Sequence, residues 1–487
     1  MIISLSVLVI TIIVSGTYAL YKAQLSKNIG VNTTTHGLAY YINYVKGTDI
    51  TAATLNPSTS YEGGASSDIE FWKKDDSYDI YGKIELTVNT IGTNLSNSPA
   101  LKYAVVNNGN VLKEGSLKGT TSGSKVTILK NLYLEQTKQI YTVYVWLDNS
   151  EELGNISNES LSISVDCTAS LQKEPTAADT IISLYTSAAK VTATNNSITY
   201  NTAPSVSLMN DRLGGTTTDL DGGNIRYYGA SPKNYIYFNC ETYPNTNCEV
   251  WRIIGIFDGK LKIMRNTSIG ELAWDQDKND DSSKTTSDND WSTATLQKLL
   301  NGSYYNGSGT VTYYSGSTAT VTTSLDMTSI GIKNDETRNM IADTTWNLGG
   351  NASVYPNLIY KEERGTKVYT GRPTIWTGKI VLAYLSDYGY AVDFSQCNQT
   401  LYKYNGSTCA SNNWMKSIIT NNGSNSGWVL TPHSGESHKV WTVIYLGHVG
   451  YGYSSAANPV TPVLYLDSEL EIESGDGSNS NPYKLSV

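Results

Sequence analysis

From Gly223 to Arg265 the chain reads GNIRYYGASPKNYIYFNCETYPNTNCEVWRIIGIFDGKLKIMR, and this stretch decides the fold of the C-terminal half. It divides into strand runs IRYYG, NYIYFN and VWRIIGIF with KLKIMR, separated by Gly, Pro and Asn turn signals. Cys240 and Cys248 close it at a spacing that suits a local disulfide.

Working outward, 487 residues exceed one ordinary core, so two domains with connecting pieces are expected. Charged residues make up only 16% while Tyr alone supplies 36, with Ser, Thr, Asn and Gly between them. Tyr and Thr suit a pleated, half-wet surface and Asn and Gly make turns, so the profile is that of a β-rich exported protein. A net charge of -9 with no Lys/Arg run excludes a cationic face for phosphates, and no nucleic-acid partner is expected. The five cysteines fall as two close pairs, Cys240 with Cys248 and Cys397 with Cys409, plus Cys167. Two disulfides in an oxidising compartment with one odd thiol fit this; a zinc site is the rival for the four paired cysteines, although neither pair has knuckle spacing.

The uncharged run Ile2 to Leu20 is long enough to enter a bilayer and reads as an export signal or an anchor, making residues 2–20 the membrane contact. Lys83–Val88, Leu101–Val106, Lys125–Leu129, Ile140–Leu147 and Leu161–Val165 then alternate between turn clusters, the pattern of a β-sandwich over residues 26–172. SGTYALYK at Ser15–Lys22, followed by this pattern and by YTVYVWLDN at Tyr141–Asn149, resembles the camelysin and biofilm-matrix-fibre group of Gram-positive surface proteins. Some camelysin relatives are described as metalloproteases, but zincin chemistry needs two His on one helix face with a Glu between them. This region has a single histidine, His36, so a stalk or fibre module is the expectation.

Residues 173–220 read as a linker carrying one helical patch, AADTIISLYTSAAK from Ala177. Asp219, Asp221 and Asn224 cluster around two glycines there, as a calcium loop or as a plain turn. The second domain spans 221–487. Its acidic stretch Asp275, Asp277, Asn279, Asp281 imitates half an EF-hand without the sixth-position Gly or the closing Glu, and the alternative is a solvated loop. Ser292–Leu300 shows a Ser cap and an apolar stripe at Ala294, Leu296, Leu299 and Leu300, which predicts a helix. The order helix, long loops, WVLTP at Trp428–Pro432 and VTPVLYL at Val460–Leu466 resembles bacterial surface domains of unassigned function over about Arg226 to Leu485. It also resembles, at the level of pattern, the C-type-lectin-like and formylglycine-generating-enzyme fold. The latter resemblance implies a copper-binding cysteine pair, for which Cys397 and Cys409 are the nearest candidates.

The expected fold class is therefore α+β and multidomain: an N-terminal apolar helix (1–25), a β-sandwich, a linker and a C-type-lectin-like domain. For chemistry, the usable bases His433, His438 and His448 fall in one loop-strand-loop with Ser434, Glu436 and Ser437, and neighbours in sequence rarely converge on one atom. His433 and His438 are out of register for a shared metal face, so no metal and no cofactor are expected. What rises above background is Gly427–Asn458, rich in Tyr, Ser, Gly, His and Asn, the mix that recognition loops use. Trp428, His433, Ser434, His438, Tyr445, His448, Tyr451, Tyr453 and Asn458 are the candidate ligand contacts, with Trp428 and Trp441 alternatively in the core. Strand alternation places Trp441, Val443 and Tyr445 on one face and Thr442, Ile444 and Leu446 on the other, with one row buried. The function expected is a cell-surface or secreted non-enzymatic binder of a glycan or protein. The alternatives are a structural fibre subunit or a formylglycine-generating-like metal-dependent oxidase.

Overall fold

A computed structural model describes residues 23–25, 41–51, 55–151, 153–156, 158–212, 223–276, 288–315, 321–351, 353–405 and 407–486. The apolar run of residues 2–20, His36, Asp219, Asp221 and the acidic loop from Asp277 lie outside these. The chain divides into two compact units, Met1–Glu174 and Pro175–Val487. Strand predominates in both, and no helix among the described residues is long and apolar enough to cross a membrane.

Unit 1 is a sandwich of two largely antiparallel sheets. One runs in the order Ala23–Leu25, Leu161–Ser170, Tyr81–Ile91, Lys125–Tyr133, with Ile50–Thr51 beside Leu161–Ser170. The other runs Ile42–Val45, Ala65–Lys73, Ile140–Asp148, Leu101–Asn107, Asn110–Ser116, with Pro57–Ser58 added in parallel to Ile140–Asp148. Period-two burial is clean in Tyr81–Ile91, whose Ile84, Leu86 and Val88 point inward against Ile69, Phe71, Val143 and Ile163. Cys167 is sealed in this core as a free thiol, and burial pushes its pKa well up, so the reactive thiolate is disfavoured.

Unit 2 corrects the linker expectation. Ala177–Ser187 is a helix closed by a reciprocal Thr176–Asp179 capping box, and it buries Ala178, Ile181 and Tyr185 in the core of this unit. Val191–Asn195, Ile198–Ala203 and Leu208–Asn210 are not connecting chain but the first three strands of a nine-stranded sheet. Thr and Asn disguised them. Thr suits a strand as well as a loop, and the Asn196-Ser197 pair, both at positive φ, supplies a two-residue hairpin. The sheet continues through Ile225–Tyr227, Glu249–Phe257, Lys260–Arg265, Val463–Tyr465 and Ile380–Val381, with Tyr235–Phe238 also paired to Glu249–Phe257. The strand runs of the opening stretch thus form its centre. The Asp258-Gly259 turn, again with both φ positive, joins the two central strands.

Both cysteine pairs are disulfides, Cys240–Cys248 and Cys397–Cys409. The zinc alternative falls with them, and so does the proposed copper pair, because a bonded sulfur offers no thiolate. Such bonds belong to an oxidising compartment. The predicted helix at Ser292 starts later, at Thr295, and passes into a π turn at Leu300–Tyr304. Ser292 instead donates its hydroxyl to Asp290 (2.6 Å), while the stripe Ala294, Leu296, Leu299 and Leu300 is buried as expected. Asp275 accepts from the Thr295 amide (3.1 Å) and hydroxyl (3.2 Å), so its carboxylate anchors the start of this helix.

Candidate functional site

Gly427–Pro432, Lys439–Val443 and Val449–Tyr453 form a three-stranded antiparallel sheet of unit 2. Its register pairs Lys439 with Tyr453 and Trp441 with Tyr451 on one face, and Val440 with Gly452 and Thr442 with Gly450 on the other. The run VGYGY therefore sorts itself: both tyrosines face one way and both glycines the other. A Cβ on Gly452 would lie 3.4 Å from the Trp428 ring, at ordinary van der Waals contact, so this face of the strand packs directly over the indole. Trp428 is 1% exposed and donates its Nε1–H to the Leu272 carbonyl at 2.9 Å. It is a core residue, not a ligand contact, which corrects its place among the candidates.

The alternation expectation also needs correction. Val440, Trp441, Thr442 and Val443 are all buried, so both rows are covered, and the strand stops before Tyr445. Tyr445 and Leu446 sit on the following turn, where strand alternation no longer applies, and both are exposed.

On the tyrosine face the side chains pack on one another. Tyr451 and Tyr453 are each 47% exposed. His433 stacks on the buried Trp441 (5.7 Å between centroids) and meets Tyr451 edge-on (4.9 Å). His438 lies parallel to Tyr453 at 5.3 Å, and Tyr402 extends the row from Trp441 at 5.9 Å. Between the tyrosines sits the Lys439 ammonium, 4.8 Å from the Tyr451 centroid and 5.8 Å from that of Tyr453. Glu436 accepts from Lys439 at 2.9 Å, which raises the Lys439 pKa and lowers that of Glu436. Burial pushes the His433 pKa down, with Glu436 opposing and Lys439 and Lys367 reinforcing. His433 is thus neutral at pH 7; its Nδ1 accepts from the Gly435 amide at 3.2 Å, which assigns the proton to Nε2 as a donor.

The other candidates lie elsewhere or serve the frame. Ser434 is half-buried and packs against Gly350. His448 is half-buried at the end of the turn, where its carbonyl accepts from the Ile444 amide at 2.8 Å. Asn458 lies on the strand Ala457–Pro459, its amide nitrogen 2.8 Å from the Ser426 carbonyl. The three histidines are therefore not brought together, and among the described residues no three His, Cys, Asp or Glu form a metal-holding group. Ser437 Oγ is 3.4 Å from His438 Nδ1, and His438 Nε2 is 3.8 Å from Glu436, both longer than a well-formed nucleophile–base hydrogen bond. Glu436 is committed to Lys439 instead.

A second cluster escaped sequence reading. Asp211, Arg226, Lys262 and Asp387 form a continuous ion-pair chain with every side chain at most 1% exposed. Arg226 donates to Asp211 at 2.6 Å and to Asp387 at 2.9 Å, and Lys262 donates to the other Asp387 oxygen. Burial alone would raise the Asp387 pKa, but Lys262 and Arg226 outweigh it and hold the carboxyl below its usual range. Burial lowers the Lys262 ammonium to about 8 despite the opposing carboxylate. A cation flanked by apolar residues within a strand, as Arg226 in IRYY and Lys262 in KLKIM, was the available signal.

Beside them Glu363 is fully buried and accepts hydroxyl bonds from Thr431 (2.6 Å) and Ser386. Burial raises its pKa, and Arg364 with the two hydroxyls only partly offsets this. A raised carboxyl contributes stability in full below the unfolded value of about 4.3 and loses it as pH rises through the folded value. Urea midpoints of wild type and Glu363→Gln measured between pH 4 and 7 should therefore converge or cross toward neutrality. A wild-type advantage that grows with pH would contradict the assignment.

No protein-family model matches the chain, and no curated protein matches it. Among solved structures, the receptor binding domain of botulinum neurotoxin mosaic serotype C/D is 12% identical, with 52% of this chain and 74% of that one covered at a TM-score of 0.14. PBCV-1 VP54, fitted into a reconstruction of the virophage Sputnik, is 9% identical over 93% and 89% of the two chains at a TM-score of 0.15. Likenesses this low carry no argument about fold or function.

Proposed function

We propose that this chain is an extracellular, surface-presented binding protein, adhesin-like, in which a lectin-like C-terminal unit holds a glycan or protein ligand without catalysis. The reading carries over from sequence the export or anchor role of residues 2–20, the surface-module resemblance of the first third and the C-type-lectin-like resemblance of the rest. The observation that supports it best is the pre-packed row Tyr402, His433, Tyr451, Lys439, Tyr453 and His438 over buried Trp441. Half-exposed aromatics held in place by neighbours lose little entropy on contact, and their faces stack on sugar rings or on partner side chains. The His433 Nε2–H and the Lys439 ammonium add donors for hydroxyls or carbonyls. The two disulfides fit the address.

The test is a glycan array and cell-adhesion assay on the full chain, wild type against the double variant Tyr451→Ala/Tyr453→Ala. Loss of two central aromatics should weaken binding by about tenfold or more. Binding unchanged by the double variant would remove this face as the site.

A further inference from the structure

Unit 2 carries a cleft of about 110 Å³ whose lining does not belong to the tyrosine face. Trp346, Tyr360, Tyr384 and Tyr465 wall it, and Thr344 and Arg364 are among its polar groups, with Asn224, Thr345 and Asn347. The charge chain lies behind these walls: the Lys262 ammonium is 4.3 Å from the Tyr384 centroid, and the Arg226 guanidinium is 5.3 Å from that of Tyr360. Those two cations are matched by Asp211 and Asp387. Arg364 is not matched in the same way. Its guanidinium stacks 3.5 Å over the Tyr360 ring with 24% of the side chain exposed, and the nearest carboxylate, Glu363, is 3.7 Å away with its oxygens held by Ser386 and Thr431. The only other acceptor it reaches among the described residues is the Tyr360 carbonyl at a long 3.4 Å. The Thr344 Oγ1 is buried and has no hydrogen-bond partner among the described residues, which is costly for a hydroxyl unless a guest fills the bond. Lys260 on the rim adds a second cation, against one lining carboxylate, Asp258, on the exposed turn.

We infer that this cleft binds a small organic carboxylate. The planar guanidinium of Arg364 forks the carboxylate, the Thr344 hydroxyl donates to it, and the carbon skeleton lies against Trp346 and Tyr384. An Arg fork matches carboxylate geometry bidentately, and flat aromatic walls favour an organic body over a bare phosphate, which would call for several converging donors. The site stands independently of the tyrosine face.

Titration calorimetry of the full chain with sodium benzoate, sodium glucuronate, glucose and inorganic phosphate tests this. At least one carboxylate should bind at one equivalent and glucose should not. Arg364→Gln should weaken that carboxylate by about tenfold or more, with Thr344→Val acting in the same direction. Arg364→Lys, which keeps the charge and loses the fork, should fall between. The double variant Tyr451→Ala/Tyr453→Ala should leave the affinity unchanged, separating this site from the other. Should Arg364→Gln lower the melting temperature, Thr344→Val and Arg364→Lys carry the reading. The inference is overturned if neither carboxylate binds more tightly than about 10 mM, if phosphate binds instead, or if affinity survives both Arg364→Gln and Thr344→Val.

Discussion

Asp387→Ala should destabilise unit 2 by about 3–5 kcal/mol, the loss expected when one partner of a buried ion pair is removed and the other stays. Asp387 does three things at once. It accepts from Arg226 at 2.9 Å, from Lys262, and from the Tyr384 amide at 2.9 Å, the last closing the capping box of the helix Leu385–Tyr390. Alanine leaves Arg226 one carboxylate, Asp211, and leaves Lys262 none. The Lys262 ammonium then faces only aromatic rings, at 4.3 Å for Tyr384 and 5.3 Å for Phe257. Its pKa, already held at about 8, should fall further, and the residue should be neutral at pH 7. Urea unfolding followed by tryptophan fluorescence measures the loss. Replacing Lys262 and Asp387 together by Met and Leu should recover most of it, because an apolar pair of similar volume avoids desolvation. A change under about 1 kcal/mol for Asp387→Ala would mean that water reaches the cluster.

Trp428→Ala should cost about 3–5 kcal/mol, whereas Tyr453→Ala should change stability by about 1 kcal/mol or less. The indole is 1% exposed, lies against Gly452 and donates to Leu272, so truncation leaves a cavity and an orphaned carbonyl. Tyr453 is 47% exposed, and its ring meets His438 and Lys439 on the surface. Thermal unfolding of the two variants separates frame from contact surface. Equal losses would show Tyr453 to be part of the frame and would weaken the case for the tyrosine face as a binding site.

Legibility followed the range of the forces involved. In unit 1, Tyr81–Ile91, Leu101–Asn107, Lys125–Tyr133, Ile140–Asp148 and Leu161–Ser170 were readable from β-branched and aromatic runs between turn clusters, whereas Ile42–Val45, Ala65–Lys73 and Asn110–Ser116 were not. Both disulfides were readable because short loops leave few partners. The tyrosine face was half readable: G-Y-G-Y alternation puts Tyr451 and Tyr453 together, but nothing local separates buried Trp428 from its neighbours. The first three strands of the large sheet were missed because Thr and Asn serve loops and strands equally, and only pairing with Ile225–Tyr227 decides between them.

By itself, then, the sequence determined a β-rich two-part chain, the close spacing of two cysteine pairs and the strand runs around Gly223–Arg265, since these depend on neighbours a few residues apart. Only the tertiary structure decided that Arg226, Asp211, Lys262 and Asp387 meet, that Glu363 lies beside them, and that Arg364 stands over a cleft. Charges spread over more than 150 positions carry no local signature of one another; the fold makes them partners by excluding the water that would otherwise screen them.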